Sequence, residues 1–209
     1  MGKLKICFIG TNPNFNGGVS VLIKNLINCI RNIRVSSEFT WLYSGKDNIE
    51  YTLGGVNHVE LKTPRILFIE DIFFNVQVSK FLKKNNFDII NSHGMWGHWI
   101  SDYKKRTSQK IIHTYHGTAY YLLKNSLKRF GILKRMILSP TLLFGYFMER
   151  LPLKKSDLLI CVSDKVKEQV QRLYGKNKKL HRQKQKIFDR YGKYSPCLGL
   201  LMVWHKPAY

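Results

Sequence analysis

Acidic side chains are scarce in this sequence: 13 aspartates and glutamates stand against 35 lysines and arginines in 209 residues, a formal net charge of +22 at pH 7. No two carboxylates stand out as a general acid and base pair. Long apolar runs are missing too. The longest, "MILSPTLLFGYFM" at 136–148, is too short to cross a bilayer and is interrupted by Pro140. The opening "MGKLKICFIG" has too short an apolar stretch for a secretory signal, and Ile6 sits where a myristoylation pattern needs Ser or Thr. The four cysteines, Cys7, Cys29, Cys161 and Cys197, form no C-x-x-C pair. They are expected to be reduced residues of a cytoplasmic protein. No Lys-Ser/Thr follows the glycines near position 17, so there is no Walker loop, and the G-x-G-x-x-G spacing is absent. RRM, KH and zinc-finger patterns are absent as well, which leaves nucleic acid an unfavoured partner despite the charge.

What is present is a folded, strongly periodic chain. Hydrophobic residues make up 44%, enough for one full domain at this length. "LKICFIG" (Leu4 to Gly10) reads as a buried parallel strand, and a glycine loop follows it. From Val19 the apolar residues recur at 22, 23, 26, 27, 30 and 33, which marks a helix buried along one stripe. Further strands are expected at "EFTWLY" (38–43), "HVELK" (58–62), "FDIINSH" (87–93), "KIIHTYH" (110–116) and "DLLICVS" (157–163). Helices are expected at 66–84, after Met95, within 120–150 and at 164–174, the last capped by Ser163 and ended by Gly175. Strands separated by helices imply an α/β, doubly wound, mostly parallel Rossmann-like sheet with helices on both faces. Ligands of such sheets gather beyond the carboxyl ends of the strands. Those ends here are Gly10 with its loop, His93, His116 and Ser163.

Four of the seven histidines, His93, His98, His113 and His116, fall within 24 residues. His93 and His116 each close a strand. His113 lies inside its strand and, by period two, faces away from His116. An H-x-x-H on a strand splits its rings between two faces, unlike the i, i+4 pair that holds zinc on a helix, so no metal is expected. Followed by Gly117 and Thr118, His116 is placed to hydrogen-bond a sugar or phosphate oxygen near neutral pH; a structural histidine is the competing reading. Gly17, Gly18 and Val19 stand where a helix begins after the first strand, so backbone N–H groups and the helix dipole could meet a phosphate; a plain helix start would look the same. Lys124, Lys128, Arg129, Lys134 and Arg135, interleaved with apolar residues, suit an anionic membrane surface or a solvated helix face.

Four stretches in this order, "CFIGTNPNFNGGVSVLIKNL", "FDIINSHG", "IIHTYHGT" and "SDLLICVSDKVKEQVQRLYG", resemble the N-terminal domain of GT-B glycosyltransferases of family 4, over roughly residues 4–175. The resemblance implies one half of a GT-B fold. It also implies a retaining enzyme that transfers a sugar from a nucleotide diphosphate sugar to a lipid-linked or polysaccharide acceptor. By resemblance, Gly17, Gly18 and Val19 would approach the donor diphosphate and His116 would be the catalytic histidine on the transferred sugar. His93, Gly117 and Thr118 would line the sugar edge. No cofactor is implied, the nucleotide sugar being a substrate.

The expected organisation is a glycosyltransferase N-terminal, acceptor-side domain at 1–175 and a basic tail at 176–209 that is not native to the fold or is poorly ordered. Ile and Asn fall from 18 and 14 in the first 179 residues to 1 and 0 in the last 30. That shift fits the out-of-frame end of an interrupted gene. The Arg, Lys and E-x7-E of the family's nucleotide-binding domain do not occur, so the expectation is a chain inactive alone and needing a C-terminal GT-B domain as partner. Its expected place is the cytoplasm, peripheral on the inner face of the membrane. The alternative is a basic binding module for anionic membrane or nucleic acid.

Overall fold

The computed structural model describes residues 3–66, 69–94, 108–118, 120–121, 124–125 and 146–175. Seven strands form one sheet: β1 (Leu4–Ile9), β2 (Ser37–Gly45), β3 (Ile49–Leu53), β4 (Val56–Lys62), β5 (Ile89–His93), β6 (Lys110–Tyr115) and β7 (Leu158–Cys161). Their spatial order is β3-β4-β2-β1-β5-β6-β7. Every neighbouring pair is parallel except β3 with β4. Setting β3 aside, the six parallel strands run in the 3-2-1-4-5-6 order of dinucleotide-binding sheets. The expected α/β, doubly wound Rossmann-like architecture is therefore what the chain adopts. The order reverses between β1 and β5.

Helices cover both faces, as the two-sided apolar strands require. α1 (Gly18–Asn32) lays Ile23, Leu26, Ile27 and Ile30 on one face, against Leu4, Ile6 and Phe8 of β1 and Phe39 and Trp41 of β2. α2 (Ile69–Lys84) covers the other face through Phe74, Val78 and Leu82, against Cys7, Ile9 and Leu42. At the far end of that second face, α3 (Asp164–Tyr174) sets Val166 and Val170 on Leu159 and Tyr115, beside Leu153 of the helical residues 146–155. A single buried glutamate ties this corner together. The Tyr115 hydroxyl donates to the Glu149 carbonyl at 2.8 Å, and the Tyr174 hydroxyl to Glu149 Oε2 at 2.7 Å.

The helix signals read from the sequence hold at α3. Ser163 Oγ accepts the Val166 N–H at 3.2 Å, and Gly175 stops the helix at φ +82°. α2 begins at Ile69, three residues later than expected, with residues 67 and 68 outside the described set. β3 is an element the sequence reading did not contain. It joins β4 through Gly54 and Gly55, both at positive φ (56° and 69°), a two-residue turn whose twist matches a hairpin. The link from β2 to β4, to which the sequence reading assigned no element, is thus a strand. Cys7 and Cys161 are free thiols. No described helix is long and apolar enough to cross a membrane.

Candidate functional site

The carboxyl ends of β1, β5 and β6 meet at the point where strand order reverses. α1 starts directly above β1. A methyl group placed on Gly10 would stand 2.7 Å from Ile23 Cδ1, 3.1 Å from Val19 Cγ1 and 3.9 Å from His93 Cβ. Glycine at this position therefore lets the first turn of α1 settle onto β1, and it brings Val19 and His93 to the same place.

That first turn is open to an anion. Gly17 is the N-cap, no side chain caps the helix, and no acid lies in its first turn. The first intrahelical bond runs from the Val21 N–H to the Gly17 carbonyl at 3.1 Å, so the preceding N–H groups belong to the unpaired end of the helix. Ser20 turns its hydroxyl back onto the loop, donating to the Gly17 carbonyl at 2.9 Å and touching that of Phe15. A Cβ at Gly17 would meet the exposed Phe15 ring at 2.7 Å, so that ring would have to move, whereas nothing lies within 4 Å of one added at Gly18. The loop is further held by Trp41, whose Nε1–H donates to the Thr11 carbonyl at 3.1 Å.

The structure brings His93 and His116 together. His93 Nδ1 and His116 Nε2 lie 3.1 Å apart, with ring centroids separated by 5.4 Å. Strand register explains the meeting. His93 aligns with Thr114 across β5 and β6, and His116 extends two residues further on the same face. His93 is fully buried beside the Phe8 ring, and Gly94 at φ +61° lets the chain leave the sheet immediately after it. Gly117, which follows His116 in the same way, does not use the left-handed region. Burial, and then the His116 ring, hold the His93 imidazole well below its ordinary range; burial alone brings His116 down to about 4. Both rings are neutral at pH 7, so the pair offers hydrogen bonds and no charge.

Beneath the histidines on the same face lie Asn91 and Thr114, with the Thr114 hydroxyl 3.1 Å from Asn91 Oδ1. Sequence reasoning missed these two, although "N-x-H" and "T-x-H" at period two carried the signal. His113 faces the other side, as expected, where its Nδ1 lies 2.7 Å from Ser92 Oγ. Thr118, expected at the sugar edge, is buried and its hydroxyl accepts the Tyr121 N–H at 3.4 Å, which makes it a local brace. Lys124 is exposed, its ammonium 5.6 Å from the centre of the Tyr120 ring. His98, Lys128, Arg129, Lys134, Arg135 and the tail at 176–209 lie outside the described residues. Among the described residues no three His, Cys, Asp or Glu side chains come together to hold a metal.

The sequence pattern of glycosyltransferase family 4 matches residues 16–182. No curated protein matches the chain. Among solved structures, the fold is similar to sucrose-phosphate synthase from Thermosynechococcus elongatus, with a TM-score of 0.58 at 14% identity over 82% of this chain and 45% of that one. It is similar also to the lipopolysaccharide outer core galactosyltransferase WaaB, with a TM-score of 0.53 at 15% identity over 85% of this chain and 44% of that one. The chain thus spans less than half the length of either structure, and at these identities the likeness is one of fold.

Proposed function

The chain belongs to glycosyltransferase family 4, and from that premise we propose that it supplies the acceptor-side half of a retaining sugar transferase acting on a nucleotide diphosphate sugar. The observation that carries the reading is the convergence at one strand edge of the uncapped α1 N-terminus and the neutral His93–His116 pair. Backbone N–H groups at Gly18 and Val19 suit a diphosphate oxygen, because the helix dipole adds a partial positive charge there. His116 suits a sugar hydroxyl: a neutral imidazole hydrogen-bonds without imposing charge on an uncharged ring. The departing diphosphate needs positioned cations, which a C-terminal GT-B domain would supply, so the described domain is inactive alone. The test is to join residues 1–175 to such a domain and assay transfer. Turnover should appear, and His116→Ala should lower it about 10²-fold or more. Full turnover in a folded His116→Ala chimera would remove the assignment.

A second observation favours a peripheral place on anionic membrane and a lipid-linked acceptor. α2 carries two apolar faces. Beyond the buried one, Ile69, Phe73 and Val76 recur at helical spacing on the exposed side, and Ile66 precedes them. Such a stripe can enter the headgroup region of a membrane, and the basic residues of α2, Lys83 and Lys84, lie in its last turn.

A further inference from the structure

The hydrogen bond between His93 Nδ1 and His116 Nε2 admits two proton arrangements. In one, His93 donates from Nδ1, so its Nε2 is a bare lone pair and His116 carries its own proton on Nδ1. In the other, His116 donates from Nε2, so His93 carries a proton on Nε2 and His116 Nδ1 is bare. The surroundings of His93 distinguish them. Its Nε2 is buried and has no hydrogen-bond partner among the described residues. A buried N–H without an acceptor is rarer and more costly than a buried acceptor left short of a donor. Two residues along the same strand face, Asn91 turns Oδ1 to Thr114 and leaves Nδ2, a donor, unpartnered among the described residues. Nδ2 of Asn91 makes no hydrogen bond to His93, so the orphaned Nε2 of His93 itself carries the distinction.

We infer that His93 is a positioning residue that fixes the proton of His116 on Nδ1, so that His116 meets its ligand as a hydrogen-bond donor at Nδ1. Its Nε2 is committed to His93 and unavailable. The ligand atom that fits is an oxygen with a free lone pair, such as a sugar hydroxyl or ring oxygen, and an ammonium or amide N–H does not fit. The consequence for ligand choice rests on the reading of His116 given above, whereas the proton arrangement does not depend on it.

The experiment is nitrogen-15 NMR of the full chain labelled at histidine, at pH 7, with His113→Gln and His98→Gln spectra to assign the rings. The expected result is a protonated, pyrrole-type Nδ1 and a pyridine-type Nε2 on both His93 and His116, with a scalar coupling between His93 Nδ1 and His116 Nε2. A pyrrole-type Nε2 on His116 in the wild-type chain overturns the inference, and so does the absence of the coupling. His93→Phe, which keeps a ring beside Phe8, should release His116 to the Nε2–H form that free histidine favours; an unchanged His116 spectrum in a folded variant would show that His93 does not set it. If that variant does not fold, the wild-type spectrum and coupling decide alone. Loss of the transferase reading through an active His116→Ala chimera would leave these spectra as they are, so the two failures are separable.

Discussion

Acid should unfold this domain partly through one imidazole. His116 in the folded chain titrates at about 4 because it is buried, against 6.5 for the unperturbed group. Above pH 6.5 neither state holds the extra proton. Between 6.5 and about 4 the unfolded chain takes one up and the folded chain does not, so stability falls as the pH falls through that window. At about 1.4 kcal/mol per unit, the displacement amounts to about 3 kcal/mol by pH 4, a large share of the roughly 5–15 kcal/mol that holds a domain of this size. His93 is displaced in the same direction, by burial first, and adds to the loss. The assay is urea unfolding at pH 7, 6, 5 and 4, comparing wild type with His116→Gln, whose amide keeps a polar partner for His93 and does not titrate. Wild type should lose about 3 kcal/mol more than the variant between pH 7 and pH 4, with most of the difference below pH 6. Two curves that fall in parallel would refute the argument, because the remaining groups of the protein, His58 and the carboxylates among them, are common to both.

Three further outcomes follow from local geometry. Gly54→Asn should leave thermal stability nearly unchanged, since Asn-Gly suits a turn with both central residues at positive φ, while Gly54→Val should cost about 1–2 kcal/mol in calorimetry; equal effects would mean the turn is not of that type. Ser163→Ala, which removes the acceptor for the Val166 N–H, should lower stability by about 1 kcal/mol in urea unfolding, and no change would mean that water replaces the cap. Phe73→Ser, at a position 52% exposed, should weaken binding to anionic vesicles without lowering the melting temperature, and added salt should weaken the wild type's binding as well. Equal partitioning onto neutral and anionic vesicles would dismiss the electrostatic contribution.

Much of this architecture was legible in the sequence because burial on two faces writes a strong pattern. "LKICFI" is a nearly continuous apolar run, "IINSH" and "KIIHTY" each carry an Ile-Ile pair near their start, and each of the three is a central strand. β3 was not legible for the opposite reason. "IEYTL" lies at the sheet edge with four of its five residues exposed; its apolar and polar residues do alternate and the Gly54–Gly55 turn follows, but five residues with little burial make a weak pattern. The placement of His93 and His116 at strand ends could be read from "NSHG" and "TYHG". Their contact could not, since it depends on His93 pairing with Thr114 across two strands that are far apart in the chain. The tautomer depends in turn on an unpartnered Nε2, which is a property of the packed interior. Thr118 looked like part of a ligand edge because it follows His116, but a hydroxyl two residues before a helical stretch satisfies backbone N–H groups equally well.

The glutamate beneath β6 has a dynamic consequence. Tyr115, which immediately precedes His116, is anchored by its hydroxyl to the Glu149 carbonyl, and Tyr174 at the end of α3 is anchored to the same residue's carboxylate. Opening the helical residues 146–155 takes the acceptor from both tyrosine hydroxyls, and opening β6 or α3 removes one of the two donors to Glu149. These three segments should therefore exchange their amide hydrogens with solvent as one cooperative unit. β3, at the opposite edge of the sheet with four of its five side chains exposed and only β4 beside it, should exchange on its own faster clock.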